Sequence, residues 1–175
     1  MTTLWGSIKT YAQQSYYLAL AYGHVRSFVQ PWVSTTFNAN HIEDGVFIGD
    51  IASAYNKQEL QALGITHIVT AVLGVGPQFP DDFKYLCVPI RDIDGEDIKS
   101  HLDTTTEFIN NAVKSGGKVL VHCVCGVSRS ATIVAAWLMA KTHQSSAETI
   151  ELLQAHRGCV NPIPSFRKQL ASLEN

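Results

Sequence analysis

The 175-residue chain has no acidic side chain before Glu43, no aspartate after Asp103, and no run of about 20 consecutive apolar residues. The missing apolar run excludes a membrane-spanning helix. No Gly-Lys-Ser or Gly-Lys-Thr occurs, which excludes a Walker-type nucleotide loop. His122, Cys123 and Cys125 have no second ligand cluster at finger-like spacing, so no metal is expected on them and no cofactor is implied. Charge is sparse, 16% of residues with a formal net of −2, and gives no reason to expect a nucleic-acid partner. Cysteine is scarce as well, and four residues without a secretory signal pattern predict a reducing, cytoplasmic compartment. Internal repeats and low-complexity segments are lacking, and the length suits one domain with a real core.

The lack of acids is local. Residues 1–42 carry only Lys9 and Arg26, a net of +2, which leaves −4 for the rest. Leu4, Ile8, Tyr11, Leu18, Tyr22, Val25, Val29 and Trp32 fall at helical spacing with Pro31 near the end. This predicts an amphipathic helical extension and linker over residues 1–40, ahead of a domain over 41–175. Packing on that domain, self-association with a second copy and peripheral attachment to a membrane surface all suit such a helix. The scarcity of arginine argues against a mitochondrial presequence.

Concentrated chemistry occurs in one run, His122-Cys123-Val124-Cys125-Gly126-Val127-Ser128-Arg129-Ser130. Lys118 to Val121 predict a short buried strand before it, and Ser130 to Lys141 an apolar helix after it. The run therefore joins a strand end to a helix N-terminus, where unpaired N–H groups and the helix dipole favour an anion. Val124, Cys125, Gly126, Val127 and Ser128 supply backbone for a nest of N–H donors, with Gly126 relieving crowding. Arg129 adds a bidentate fork for two phosphate oxygens. The same positive field lowers the pKa of the Cys123 thiol, as a thiolate nucleophile requires. Such a thiolate attacks phosphorus and gives a cysteinyl-phosphate that water hydrolyses. Ser130 is suited to donate to the sulfur when it leaves, and His122 to fix the loop from behind through its ring.

The departing oxygen needs a proton, which an aspartic acid on a loop can supply. All eight aspartates precede Cys123. That order argues against the small phosphatases whose cysteine lies near the N-terminus with the aspartate after it. Asp92, Asp94 and Asp97 cluster just after the apolar run Tyr85-Leu86-Cys87-Val88, and the polar loop at a strand end is where catalytic side chains tend to sit. Asp97 reads as a cap for the following helix, leaving Asp92 and Asp94 as candidate acids.

Several segments together resemble the dual-specificity protein phosphatases of the cysteine-dependent superfamily, the small atypical members in particular, over about residues 41–173. These are the motif His-Cys-x5-Arg-Ser, the run Val127 to Thr132, Val46-Phe47-Ile48-Gly49, Leu63-Gly64-Ile65-Thr66-His67-Ile68, and Pro89-Ile90-Arg91-Asp92. The resemblance implies hydrolysis of phosphotyrosine and phosphoserine or phosphothreonine, with a phosphoprotein as partner. It also implies Asp92, 31 residues before Cys123, as the acid, with Asp94 the alternative. Cys125 stands where relatives commonly have alanine, and Val160-Asn161-Pro162 departs from their Pro-Asn, so Asn161 inherits no role. Val124, Val127 and Ser128 are not basic, whereas relatives acting on phosphoinositides tend to carry lysine or arginine there. A lipid or RNA 5′-phosphatase on the same scaffold is the alternative enzyme. A phosphoprotein-binding scaffold is the non-enzymatic alternative, and an intact Cys123, Arg129 and upstream aspartate count against it.

The extra thiols raise a redox role, because a sulfenic acid on Cys123 can be captured by a nearby cysteine. Cys125 is cramped by its closeness in sequence. Cys87 is preferred, since its strand is expected to neighbour the strand of Cys123. Strands near 46–48, 66–71, 84–89 and 118–122 alternate with helices near 55–63, 100–115, 130–141, 146–156 and 163–173. This alternation predicts an α/β fold with a central, mostly parallel sheet flanked by helices and a ligand site at the carboxyl ends of the strands.

Overall fold

Val119, Leu120 and Val121 are fully buried, and their unbroken apolar run places the strand that holds them where both sheet faces are covered. This is β5 (Lys118–His122), the middle of five strands in the computed structural model, which describes residues 36–174. The helix expected within residues 1–35 lies outside the described residues. The remaining elements are β1 (Ala39–Glu43), β2 (Val46–Gly49), α1 (Ile51–Ala54), α2 (Lys57–Ala62), β3 (Ile65–Thr70), β4 (Lys84–Cys87), α3 (Lys99–Lys114), α4 (Arg129–Thr142), α5 (Ser146–His156) and α6 (Pro164–Ala171).

The sheet order is β1-β2-β5-β3-β4, with β2, β5, β3 and β4 parallel and β1 antiparallel to β2. Alternate residues of each strand feed two cores. Val46, Ile48, Val69, Val119 and Val121 pack with α3 to α6, while Phe47, Ile68 and Leu120 pack with Ala54 and Leu60 of α1 and α2. Helix α4 is buried from Arg129 to Met139 because it lies between the sheet and its helical neighbours, which explains why it is apolar all round. Full burial of each such aliphatic side chain stabilises the fold by roughly 1.5–3 kcal/mol. Helix α5 starts on a capping box in which Ser145 and Glu148 satisfy each other's backbone N–H groups.

Two expectations are corrected. The sequence places its first strand near 46–48, whereas β1 precedes it, an edge strand whose half-exposed residues carry no clear alternation. Cys87 does not lie on a strand beside β5. Thr70 of β3 pairs with Cys87 on one side and with His122 on the other, so β3 separates the strand of Cys87 from the strand that leads into Cys123.

Candidate active site

After His122 the chain curls through Cys123 to Ser128 before entering α4. Carbonyls of this loop are held by its surroundings: Ile51 N–H donates to Val124 O (3.1 Å) and Asn161 N–H to Val127 O (2.9 Å). At the strand end, Ala71 N–H donates to His122 O (2.9 Å). Among the described residues, the N–H groups of Val124, Cys125, Val127, Ser128 and Arg129 have no acceptor, which makes a row of donors of the polarity that an oxyanion requires. Gly126 has φ +69°, and a Cβ there would meet Gly49 O and Arg157 Nη2, each at 2.7 Å. Only glycine fits this turn.

The Cys123 side chain lies at the floor of the loop, 1% exposed. Its Sγ accepts from Gly126 N–H (3.2 Å) and from the Ser130 hydroxyl (3.3 Å). Burial pushes the thiol pKa up, but the Ser130 hydroxyl and N–H, the Arg129 charge and the Gly126 N–H outweigh it, and the net direction is down. Cys125 differs: it is exposed, and partial burial together with the charge of Cys123 raises its pKa. Partial burial likewise raises that of Cys87.

Ser128 occupies the N-cap position of α4 yet makes no capping bond. Its hydroxyl instead donates to Asp92 Oδ1 at 2.6 Å, and its oxygen accepts from Ile163 N–H (3.2 Å). The first turn of α4 thus keeps its N–H groups for something other than its own cap. Arg129 donates from Nη1 to Ile90 O (3.3 Å), and its Nε lies 3.9 Å from Asp92 Oδ2. That Nε is buried with no hydrogen-bond partner, as befits a donor kept for a ligand oxygen.

Of the clustered aspartates, the fold brings Asp92 to the cysteine loop. Asp94 is exposed and makes no side-chain contact of hydrogen-bond or ion-pair type among the described residues, while Asp97 accepts the Ser100 N–H (3.1 Å) at the start of α3. His122 is buried behind the loop, with Nε2 3.0 Å from Thr70 Oγ1 and Nδ1 3.2 Å from Cys123 O. A carbonyl can only accept, so Nδ1 carries the hydrogen and Nε2 takes the Thr70 hydroxyl proton. Burial, with the Arg129 charge behind it, lowers the His122 pKa to about 4 despite the bond to Cys123 O, and the ring is neutral near pH 7.

Sequence reasoning missed Arg157, at the end of α5. It is 4% exposed. Nε donates to Gly126 O (2.9 Å) and Nη2 to Cys125 O (3.3 Å). Nη1 reaches Asn38 O (3.1 Å), Asn38 Oδ1 (3.0 Å) and Asn40 Oδ1 (2.7 Å). No spacing or neighbouring motif signals this, because the contacts join three segments far apart in sequence.

The chain is similar to several known proteins. Residues 46–175 match the family model described as "Dual specificity phosphatase, catalytic domain". Dual specificity protein phosphatase 1B of Arabidopsis thaliana is 40% identical over 135 residues, spanning 77% of this chain and 81% of the relative. Dual specificity protein phosphatase 26 of Homo sapiens is 38% identical over 143 residues, spanning 78% and 67%. The crystal structure of human tyrosine phosphatase-like serine/threonine/tyrosine-interacting protein superposes with a TM-score of 0.75 at 34% identity, covering 79% of this chain and 97% of that one.

Proposed function

Since this chain belongs to the dual specificity phosphatase family and is therefore a hydrolase of phosphotyrosine and phosphoserine or phosphothreonine on proteins, we propose that Cys123 is its nucleophile, Asp92 its general acid, and Val124 to Arg129 its phosphate-binding loop. In the first step the Cys123 thiolate forms the S–P bond as the P–O ester bond breaks, and the departing oxygen takes the proton of Asp92. In the second, water attacks phosphorus, Asp92 recovers a proton from it, and the thiolate leaves, stabilised by Ser130 and Gly126. Charge on the equatorial oxygens is met by Arg129 and the loop N–H groups. His122, neutral and held at both ring nitrogens, positions the loop.

The observation that carries this reading is the convergence on one loop of a thiol with a depressed pKa, a buried guanidinium Nε without a hydrogen-bond partner and an aspartate from another strand end. Asn38 and Asn40, bound to Arg157, extend the catalytic domain slightly ahead of residue 41. The aromatics and missing acids of the residues before it suit an extension that meets a membrane surface or a second copy. Four free thiols fit a reducing compartment, the cytoplasm. Cys123→Ser should lower turnover of an aryl phosphate by more than about a thousandfold while binding of a phosphate analogue survives. Full turnover by that variant would remove the covalent mechanism.

A further inference from the structure

Isolated apolar side chains on a surface need no explanation, but clustered ones do. The exposed large hydrophobics among the described residues are Tyr55, Leu73 and Ile93. Each stands on a segment that leaves the carboxyl end of β2, β3 or β4, all parallel to β5, and so at the sheet end where the cysteine loop begins. Two of them adjoin the catalytic groups. Leu73, 50% exposed, donates its N–H to Ile90 O (3.2 Å), the same carbonyl that accepts from Arg129 Nη1. Ile93, 47% exposed, directly follows Asp92. Within the loop, Val124 and Val127 are partly exposed and add apolar surface.

Arg91 is held by Glu96, with Nε 2.9 Å and Nη2 2.9 Å from Oε2. Arg167, beside the Asn161 segment, is bound to Pro162 O and Asn161 Oδ1. Asp94, exposed on the acid loop, adds a carboxyl group to this surface. An aliphatic neighbour of the phosphorylated residue finds Leu73 and Ile93, whereas an acidic one finds Arg91 already paired with Glu96.

We propose that Leu73 and Ile93 form an apolar clamp for the residues flanking the phosphorylated one, so that the substrates are phosphoproteins with aliphatic rather than acidic or additionally phosphorylated neighbours at that position. This rests on the phosphatase reading above and narrows it. Half-exposed aliphatic side chains covered by a peptide favour it by roughly tenfold in kcat/KM.

The test uses the full chain with two phosphotyrosine peptides of equal length, one with leucine and one with glutamate on both sides of the phosphotyrosine. A small aryl phosphate and phosphoinositide vesicles serve as further substrates. The leucine peptide should be favoured by about tenfold, and the ratio should fall toward one in the Leu73→Gln/Ile93→Gln variant. Leu73→Arg should shift preference toward the glutamate peptide, which keeps the test informative if the double variant folds poorly. Equal turnover of both peptides by the wild type, a ratio unmoved by the substitutions, or a loss confined to vesicle hydrolysis overturns the clamp while leaving the phosphatase in place. Absence of turnover on every substrate, the aryl phosphate included, overturns the underlying reading and the clamp with it.

Discussion

Asp92 is connected to the loop through both carboxylate oxygens, one accepting the Ser128 hydroxyl and the other facing Arg129 Nε. A carboxyl held there can deliver a proton to an oxygen leaving from phosphorus above Cys123. Asp92→Ala should therefore slow substrates with poor leaving groups by about a hundredfold or more, and activated aryl phosphates much less. The check is a leaving-group series, and equal losses across it would point to Asp94 or to another donor. His122 supports a different prediction. Its folded-state pKa of about 4 lies below the ordinary histidine value, so between those values the unfolded chain binds the extra proton. The stability that it contributes is complete above about pH 6.5 and is lost as pH falls toward 4, by up to about 3 kcal/mol. Urea unfolding at pH 7 and pH 5 measures this, and His122→Gln should flatten the difference.

At the scale of elements, the junction between β5 and α4 depends on an arginine from α5. Arg157 holds the carbonyls of Cys125 and Gly126, and those bonds set the direction of the Gly126 N–H that meets Cys123 Sγ. Removing the guanidinium in Arg157→Met leaves these buried acceptors unpaired, a cost of about 2–3 kcal/mol. It should also loosen the row of N–H donors and lower kcat by roughly tenfold. A purely structural role would change only stability. A positioning role also moves the acid limb of the rate profile to higher pH, because the Gly126 N–H is among the groups that depress the Cys123 pKa. Arg157→Lys should recover part of the rate, since one ammonium can reach some of these acceptors but cannot reproduce the planar fork. The pH profile of kcat/KM in the two variants, together with their thermal unfolding, distinguishes the roles.

Across the whole molecule, the legible parts are those encoded by local pattern. The strand at 118–122 and the helix at 146–156 appear where periodicity and capping residues place them, and the loop between β5 and α4 is a short contiguous motif. What stayed hidden depends on tertiary pairing. The five residues of β1 give no strand signal because an edge strand need not alternate, and Arg157 touches the loop only after α5 has packed. Strand order is hidden for the same reason: sequence position does not reveal that β3 inserts between β4 and β5. This order has a chemical consequence. With strands about 4.8 Å apart, Cys87 lies about 10 Å from the backbone at His122, well beyond the Cα separation of about 4.4–6.8 Å that a disulfide tolerates. Cys125 is separated from Cys123 by one residue, in a loop held by Arg157 and the Ile51 N–H. Mild peroxide treatment of the folded protein should therefore yield Cys123 sulfenic acid and its overoxidised products with no Cys87–Cys123 disulfide. Non-reducing peptide mapping by mass spectrometry reads this directly. Finding that disulfide at high yield would mean that β3 leaves the sheet at a free-energy cost low enough to be reached from the native state.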